Sequence, residues 1–185
     1  MNTLDYKNDS ARNTYCDFVK DLPRDNIHRR YHDYCYGFAL DDDNELFGRL
    51  ILEINQAGLS WDTILKKEKN FKKAYDEFDL HTIANYDAIE KQRLLNDPGI
   101  IRNRLKIEAA IYNAEQILKL QKEYGSFLVW IEHHRHFEKK EWVKLFKKHF
   151  KFVGGEIVGE FLMSIGVLKG AHNRECPIYK KLTLK

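Results

Sequence analysis

A chain of 185 residues with 31 Lys and Arg against 28 Asp and Glu carries a formal charge of +3 and a pI near 8.6. That length suits one domain that buries its own core without staples. Three Cys, an odd number, argue against a disulfide framework and for thiols or metal ligands. No stretch approaches the ~20 apolar residues of a membrane span, and residues 1–12 lack an apolar signal-peptide core, so a cytosolic protein is expected; a monomer is the expected state, although no residue pattern fixes it.

In chain order, residues 1–15 are polar and rich in Asn and Asp, and are expected to be loose, leaving 16–185 as one helical domain. Asp25 or Asn26 can cap a short helix holding His28, Arg29, Tyr31, His32 and Tyr34. Asp41-Asp42-Asp43-Asn44 forms a turn and cap before a helix over 46–56, in which Leu46, Phe47, Leu50, Ile51 and Ile54 draw one apolar stripe. Gly58 stops that helix and Ser60 caps the next, expected over 61–77. Asp79 starts a short helix, and Asp87 caps another that runs to Leu95. Asn96-Asp97-Pro98-Gly99-Ile100 is a turn, and a long helix from near Ile101 or Arg102 ends at Gly125. Ser126 caps a segment with Trp130. His133, His134 and His136 read as a loop, a helix contains Trp142 and Phe146, and a last one lies between Gly155 and Gly166. No strand pattern or internal repeat is present, so the expected class is all-α.

Three constellations carry chemistry. Glu53 sits at the edge of an apolar stripe, and Trp61 lies across the sharp corner after it. A carboxylate in a partly dry, aromatic-lined place binds a cationic or N–H-rich planar ligand; a plain ion pair at a core edge has the same pattern. Tyr31 and Tyr36 can complete the aromatic surround for a flipped base. Second, Gly99 and Ile100 form a tight turn before a helix whose opening N–H groups favour an anion, and Arg102, Arg104 and Lys106 add charge, a combination that suits a DNA phosphate clamp. Third, His172 and Cys176 have H-x3-C spacing and His32 and Cys35 have H-x2-C spacing, with Cys16 upstream; a Cys2His2 site can be completed in more than one way. Lysine runs at 66–73 and 139–151 are solvated faces or tracks for a phosphate backbone.

The run Glu53, Gln56-Ala57-Gly58-Leu59-Ser60-Trp61, preceded by Tyr31-His32-Asp33 and Tyr36-Gly37, resembles the DNA-3-methyladenine glycosylase I family. Thr63-Ile64-Leu65-Lys66-Lys67, Gly99-Ile100-Ile101-Arg102, Lys151-Phe152-Val153-Gly154 and His172-x3-Cys176 extend the resemblance over roughly residues 16–180. It implies a compact helix-hairpin-helix glycosylase domain with Gly99 in the hairpin and a structural zinc joining the N- and C-terminal segments. It further implies that Glu53 contacts excised 3-methyladenine, that Tyr31 and Trp61 pack around it, and that Gln56, Gly58 and Leu59 press into duplex DNA where the base leaves. Zinc would be held by Cys16, His32, His172 and Cys176. The family lacks the catalytic Asp usual in its superfamily. This chain departs from the pattern in three ways: Tyr36 stands where a Trp is usual; the stretch from Cys16 to His32 is longer and Phe18 stands where a Trp is common, which keeps Cys35 in play as a rival ligand; and the late segment from Glu138 to Lys148 is richer in Lys and aromatic residues. The expected activity is monofunctional base release that leaves an abasic site, with a catalytically silent damaged-DNA binder and a glycosylase for another alkylated purine as alternatives.

Overall fold

The computed structural model describes residues 14–183, and among these every regular element is helical. The helices are α1 (Tyr15–Val19), α2 (Ile27–Tyr34), α3 (Asp43–Gln56), α4 (Trp61–Ala74), α5 (Leu80–Ala84), α6 (Ala88–Asn96), α7 (Arg104–Tyr124), α8 (Phe127–His133), α9 (Lys139–His149), α10 (Gly155–Ser164) and α11 (Pro177–Thr183). The expected loose segment lies outside the described residues up to 13. Thr14 caps α1 through a reciprocal box with Asp17, and Tyr15 is buried, so these two residues belong to the packed helical part.

Short polar side chains set most of the helix starts. Asn26, Asp42, Ser60, Asp79, Asp87, Asn103 and Ser126 each accept a backbone N–H at the head of the following helix. Gly125, at φ +92, closes α7 where a Cβ would be strained. Helix α3 runs through the middle of the molecule, packed against α4, α7, α8 and α10. Its residues Leu46, Phe47, Leu50, Ile51 and Ile54 are all buried, as the stripe predicts. Asp43 adds a tie at its start: its carboxylate accepts from the Phe127 and Leu128 amides (2.7 and 3.0 Å) and from Gln121 (2.7 Å). The aromatic-rich late segment turns inward. Trp142 and Phe146 pack with Trp130, Phe127 and Phe161 in the core, while Lys140, Lys144, Lys147 and Lys148 face solvent.

Two elements depart from expectation. Helix α4 ends at Ala74 and not at Glu77, because Asp76, Glu77 and Phe78 form a 3-10 turn with positive φ values (45°, 58° and 64°). Arg93 holds this turn by donating to the Ala74 carbonyl (2.8 Å) and to Asp76 (3.4 Å). Helix α7 starts at Arg104, later than expected, because Asn103 takes the capping position. The left-handed turn presses the Phe78 ring onto Gly48 of α3, so close that a Cβ there would lie 2.3 Å from the ring. Gly48→Ala is expected to lower stability by about 1–3 kcal/mol through overpacking, read as an earlier chemical-denaturation midpoint. Gly154→Ala, whose added methyl meets nothing within 4 Å, is the control.

Candidate active site

The corner after α3 is a β-turn. Ala57 (φ −53°, ψ 117°) is followed by Gly58 at φ +81°, the pattern of a type II turn, which needs Gly at its third position. The Leu59 N–H donates to the Gln56 carbonyl (2.8 Å) and the Gln56 amide donates to the Leu59 carbonyl (3.3 Å), closing the turn from both sides. Gly58 is exposed, and Gln56 and Leu59 are half-buried, so this tip is available to a partner.

One turn and a half upstream, Glu53 is only 1% exposed. Its charge acts on the phenols of Tyr15, Tyr31 and Tyr36 and on the Arg49 guanidinium. Tyr31 crosses Trp61 edge-on at 5.1 Å and lies 5.8 Å from Tyr36; Tyr15 meets Tyr36 edge-on at 5.6 Å. Burial pushes all three phenols up, so they stay neutral. Arg49, one turn before Glu53, covers the Tyr31 ring at 5.2 Å and donates to its hydroxyl (3.2 Å) and to the Ser164 carbonyl (3.4 Å). Tyr36 donates to Glu160 (3.3 Å). The four residues expected around a base, Glu53, Tyr31, Tyr36 and Trp61, therefore do converge. Tyr15 and Arg49 join them unforeseen: Tyr15 was assigned to a loose tail, whereas Arg49 had a readable signal in its i,i+4 spacing to Glu53.

The hairpin is built between α6 and α7. Asp97 accepts the Gly99 N–H (2.7 Å), and Lys67 of α4 donates to the Pro98 and Gly99 carbonyls (2.8 and 3.1 Å). Lys67 thus pins the turn, a role hidden inside a lysine run. Arg102 and Arg104 are exposed beyond the turn. Two expected contact residues are not placed for phosphate. Ile100 is buried in the core, and Lys106 is 4% exposed, with its ammonium donating to the Asn55 and Ala57 carbonyls (2.9 and 2.7 Å). Helical phase accounts for Lys106, which lies about 200° round α7 from the exposed Arg104; Ile100 lies before the helix and packs into the core. The Gly99 amide is also already taken by Asp97.

Cys16, His32, His172 and Cys176 are all buried, with ligand atoms within 4.8 Å of one another. His32 Nε2 lies 3.4 Å from Cys16 Sγ and 3.6 Å from Cys176 Sγ; His172 Nδ1 lies 3.7 Å from each sulfur and 3.2 Å from His32 Nε2. A tetrahedral ion with bonds of about 2.3 Å to sulfur and about 2.0 Å to nitrogen needs edges of about 3.3–3.8 Å, so these donors fit one. The outer ring nitrogens are held as well: His32 Nδ1 by Asp33 (2.7 Å) and His172 Nε2 by the Tyr36 carbonyl (2.7 Å). Each partner orients its imidazole so that the other nitrogen faces the cluster. Cys35 stands outside the cluster, which decides between the rival thiols in favour of Cys16.

Residues 22–145 match the family model described as methyladenine glycosylase. The chain belongs to the methyladenine glycosylase family. "DNA-3-methyladenine glycosylase 1" of Escherichia coli (strain K12) is 32% identical, covering 80% of this chain and 89% of the relative. A structure of 3-methyladenine DNA glycosylase I from Staphylococcus aureus, described as the basis of 3-methyladenine recognition, superposes with a TM-score of 0.77 at 31% identity, covering 84% of this chain and 93% of that one. A tyrosine-to-phenylalanine variant of 3-methyladenine DNA glycosylase I, solved in complex with 3-methyladenine, gives 0.79 at 31% identity over 89% and 96%. The methyladenine glycosylase match takes in Tyr31, Tyr36, Glu53, Trp61 and the hairpin. Cys16, His172 and Cys176 lie outside it, so the candidate metal cluster stands on its own geometry.

Proposed function

We propose that this chain is a monofunctional DNA glycosylase that hydrolyses the N-glycosidic bond of 3-methyladenine in alkylated duplex DNA, freeing the base and leaving an abasic site. The observation that carries the reading is Glu53, a buried carboxylate ringed by Tyr31, Tyr36 and Trp61 in a member of this family. The relatives are named for this substrate, and one solved relative holds it.

In this reading the damaged nucleotide leaves the helix stack, and Gln56, Gly58 and Leu59 enter the space it vacates. The base stacks against the aromatic rings, and Glu53 accepts from its N–H-bearing edge. A 3-methylated adenine in DNA is cationic. When the C1′–N9 bond breaks, the electron pair stays on the ring and the base leaves neutral, so no acid is needed to activate it. Positive charge develops on the sugar, water adds at C1′, and its proton passes to solvent. The chain contributes capture of the leaving base and a negative field near the developing cation. Arg102 and Arg104, presented beyond the Gly99 turn of a helix-hairpin-helix, would meet the phosphate backbone without reading sequence.

The Cys16, His32, His172 and Cys176 cluster would hold structural zinc. Two thiolates and two imidazoles would fill all four positions of a tetrahedral ion, the donor count of a structural site. Its position near both ends of the described chain suits a fastening role: Asn173 donates to Thr14 (3.1 Å) beside it.

Chromatography of free bases released from methylated duplex should show 3-methyladenine with wild type and a fall of at least ~100-fold with Glu53→Gln (~2.7 kcal/mol in barrier); release at the wild-type rate by the variant would remove Glu53 from the chemistry. Elemental analysis of protein purified without chelator should give one zinc per chain. His172→Ala and Cys16→Ser should lose it while Cys35→Ser keeps it, and metal-free wild type would defeat the assignment.

A further inference from the structure

Lys106 is displaced from the phosphate clamp by its burial, yet it occupies the first turn of α7, directly after the hairpin. Its ammonium reaches across to the other candidate DNA-contacting element. It donates to the carbonyl of Asn55, in the last turn of α3, and to that of Ala57, inside the type II turn. Carbonyls at the end of a helix lack intrahelical partners and carry partial negative charge, so a cation is well matched there. No carboxylate lies within ion-pair distance of Lys106 among the described residues. Burial pulls its amine below the ordinary lysine range. A buried ammonium satisfied only by backbone carbonyls is an expensive way to fill core space, because an apolar side chain of that size would do so without desolvating a charge.

A second observation concerns what covers it. The Phe152 ring lies over the ammonium at 5.7 Å. Phe152 is 37% exposed and sits at φ +58°, a left-handed conformation that disfavours a bulky residue. It is held there by Asn113, fully buried, which accepts the Lys151 N–H (2.8 Å) and donates to the Lys151 carbonyl (3.1 Å). Strain kept in place by a dedicated clamp points to a constraint beyond packing. Phe152 also belongs to the Lys151-Phe152-Val153-Gly154 run that the proposed reaction leaves without a task.

The geometry points to Lys106 as a positioning residue that couples the phosphate-binding hairpin to the base-displacing turn, with Phe152 as the cover that keeps water from its ammonium. The hairpin, gripped by DNA, then fixes the height and direction of Gln56, Gly58 and Leu59 through one rigid strut. This inference rests on the glycosylase reading.

The test measures base release from methylated duplex by the full chain, alongside binding of free 3-methyladenine followed by tryptophan fluorescence. Lys106→Met keeps the stem and removes the charge. It should slow release from duplex at least ten-fold while affinity for the free base stays within two-fold of wild type. Lys106→Arg should restore part of the loss, and in a Leu59→Ala background Lys106→Met should cause little further loss, since the strut then has nothing to position. Should the Met variant fail to fold, the Arg variant carries the comparison: partial loss on duplex with free-base affinity intact. Wild-type release by folded Lys106→Met overturns the inference, as does a parallel loss of free-base affinity or full additivity with Leu59→Ala. A wild type that binds free 3-methyladenine but releases none from duplex would instead defeat the glycosylase reading.

Discussion

A carboxylate held out of water inside a helical core is the constraint around which this molecule is arranged. Glu53 lies on α3, the helix that runs through the middle of the fold, and a buried carboxyl group there needs compensating polarity. Arg49 supplies a cation from the preceding turn; the phenols of Tyr15, Tyr31 and Tyr36, kept neutral by burial, come from α1, α2 and the segment after α2, with hydroxyls that meet His28, Arg49 and Glu160. Pure core packing would favour an apolar residue at 53. A partly dry acid among aromatic faces is instead matched to a flat, cationic, N–H-bearing ligand, whose positive charge the site can offset only once it is bound.

The Cys/His cluster and the aromatic surround of Glu53 share one piece of scaffolding. His32 follows Tyr31 on α2, so fixing one fixes the helix that carries the other. His172 holds the Tyr36 carbonyl through Nε2, while the Gly37 amide donates to the Ser164 carbonyl (2.8 Å), the group that also accepts from Arg49. A cation held by Cys16, His32, His172 and Cys176 would therefore steady the segments that carry Tyr31 and Tyr36. The side chains around Glu53 come from segments far apart in sequence, and an ion held by the cluster would close the loop between them.

Much of this was legible in the residues themselves. Side-chain caps such as Asp42, Ser60, Asp79 and Ser126 announce helix starts through local chemistry, and the stripe on α3 predicts which of its faces is buried. The Cys/His set was visible as a choice among ligands, and only three-dimensional proximity separates Cys16 from Cys35. The misses have tertiary causes. The left-handed turn at 76–78 has no glycine to announce it and depends on Arg93 from α6. Lys106 reads as one more exposed cation until the phase of α7 turns it toward Ala57. Tyr15 hides in a polar tail, and the short helices α1 and α11 lack a periodic stripe long enough to recognise.

The most direct measurement of the central claim is a titration of free 3-methyladenine into wild type and Glu53→Gln, followed by tryptophan fluorescence. The account predicts saturable binding to wild type, with adenine binding far more weakly, and a large loss of affinity in the Gln variant. Equal binding to both proteins, or no binding to wild type that is folded and holds its zinc, would contradict it.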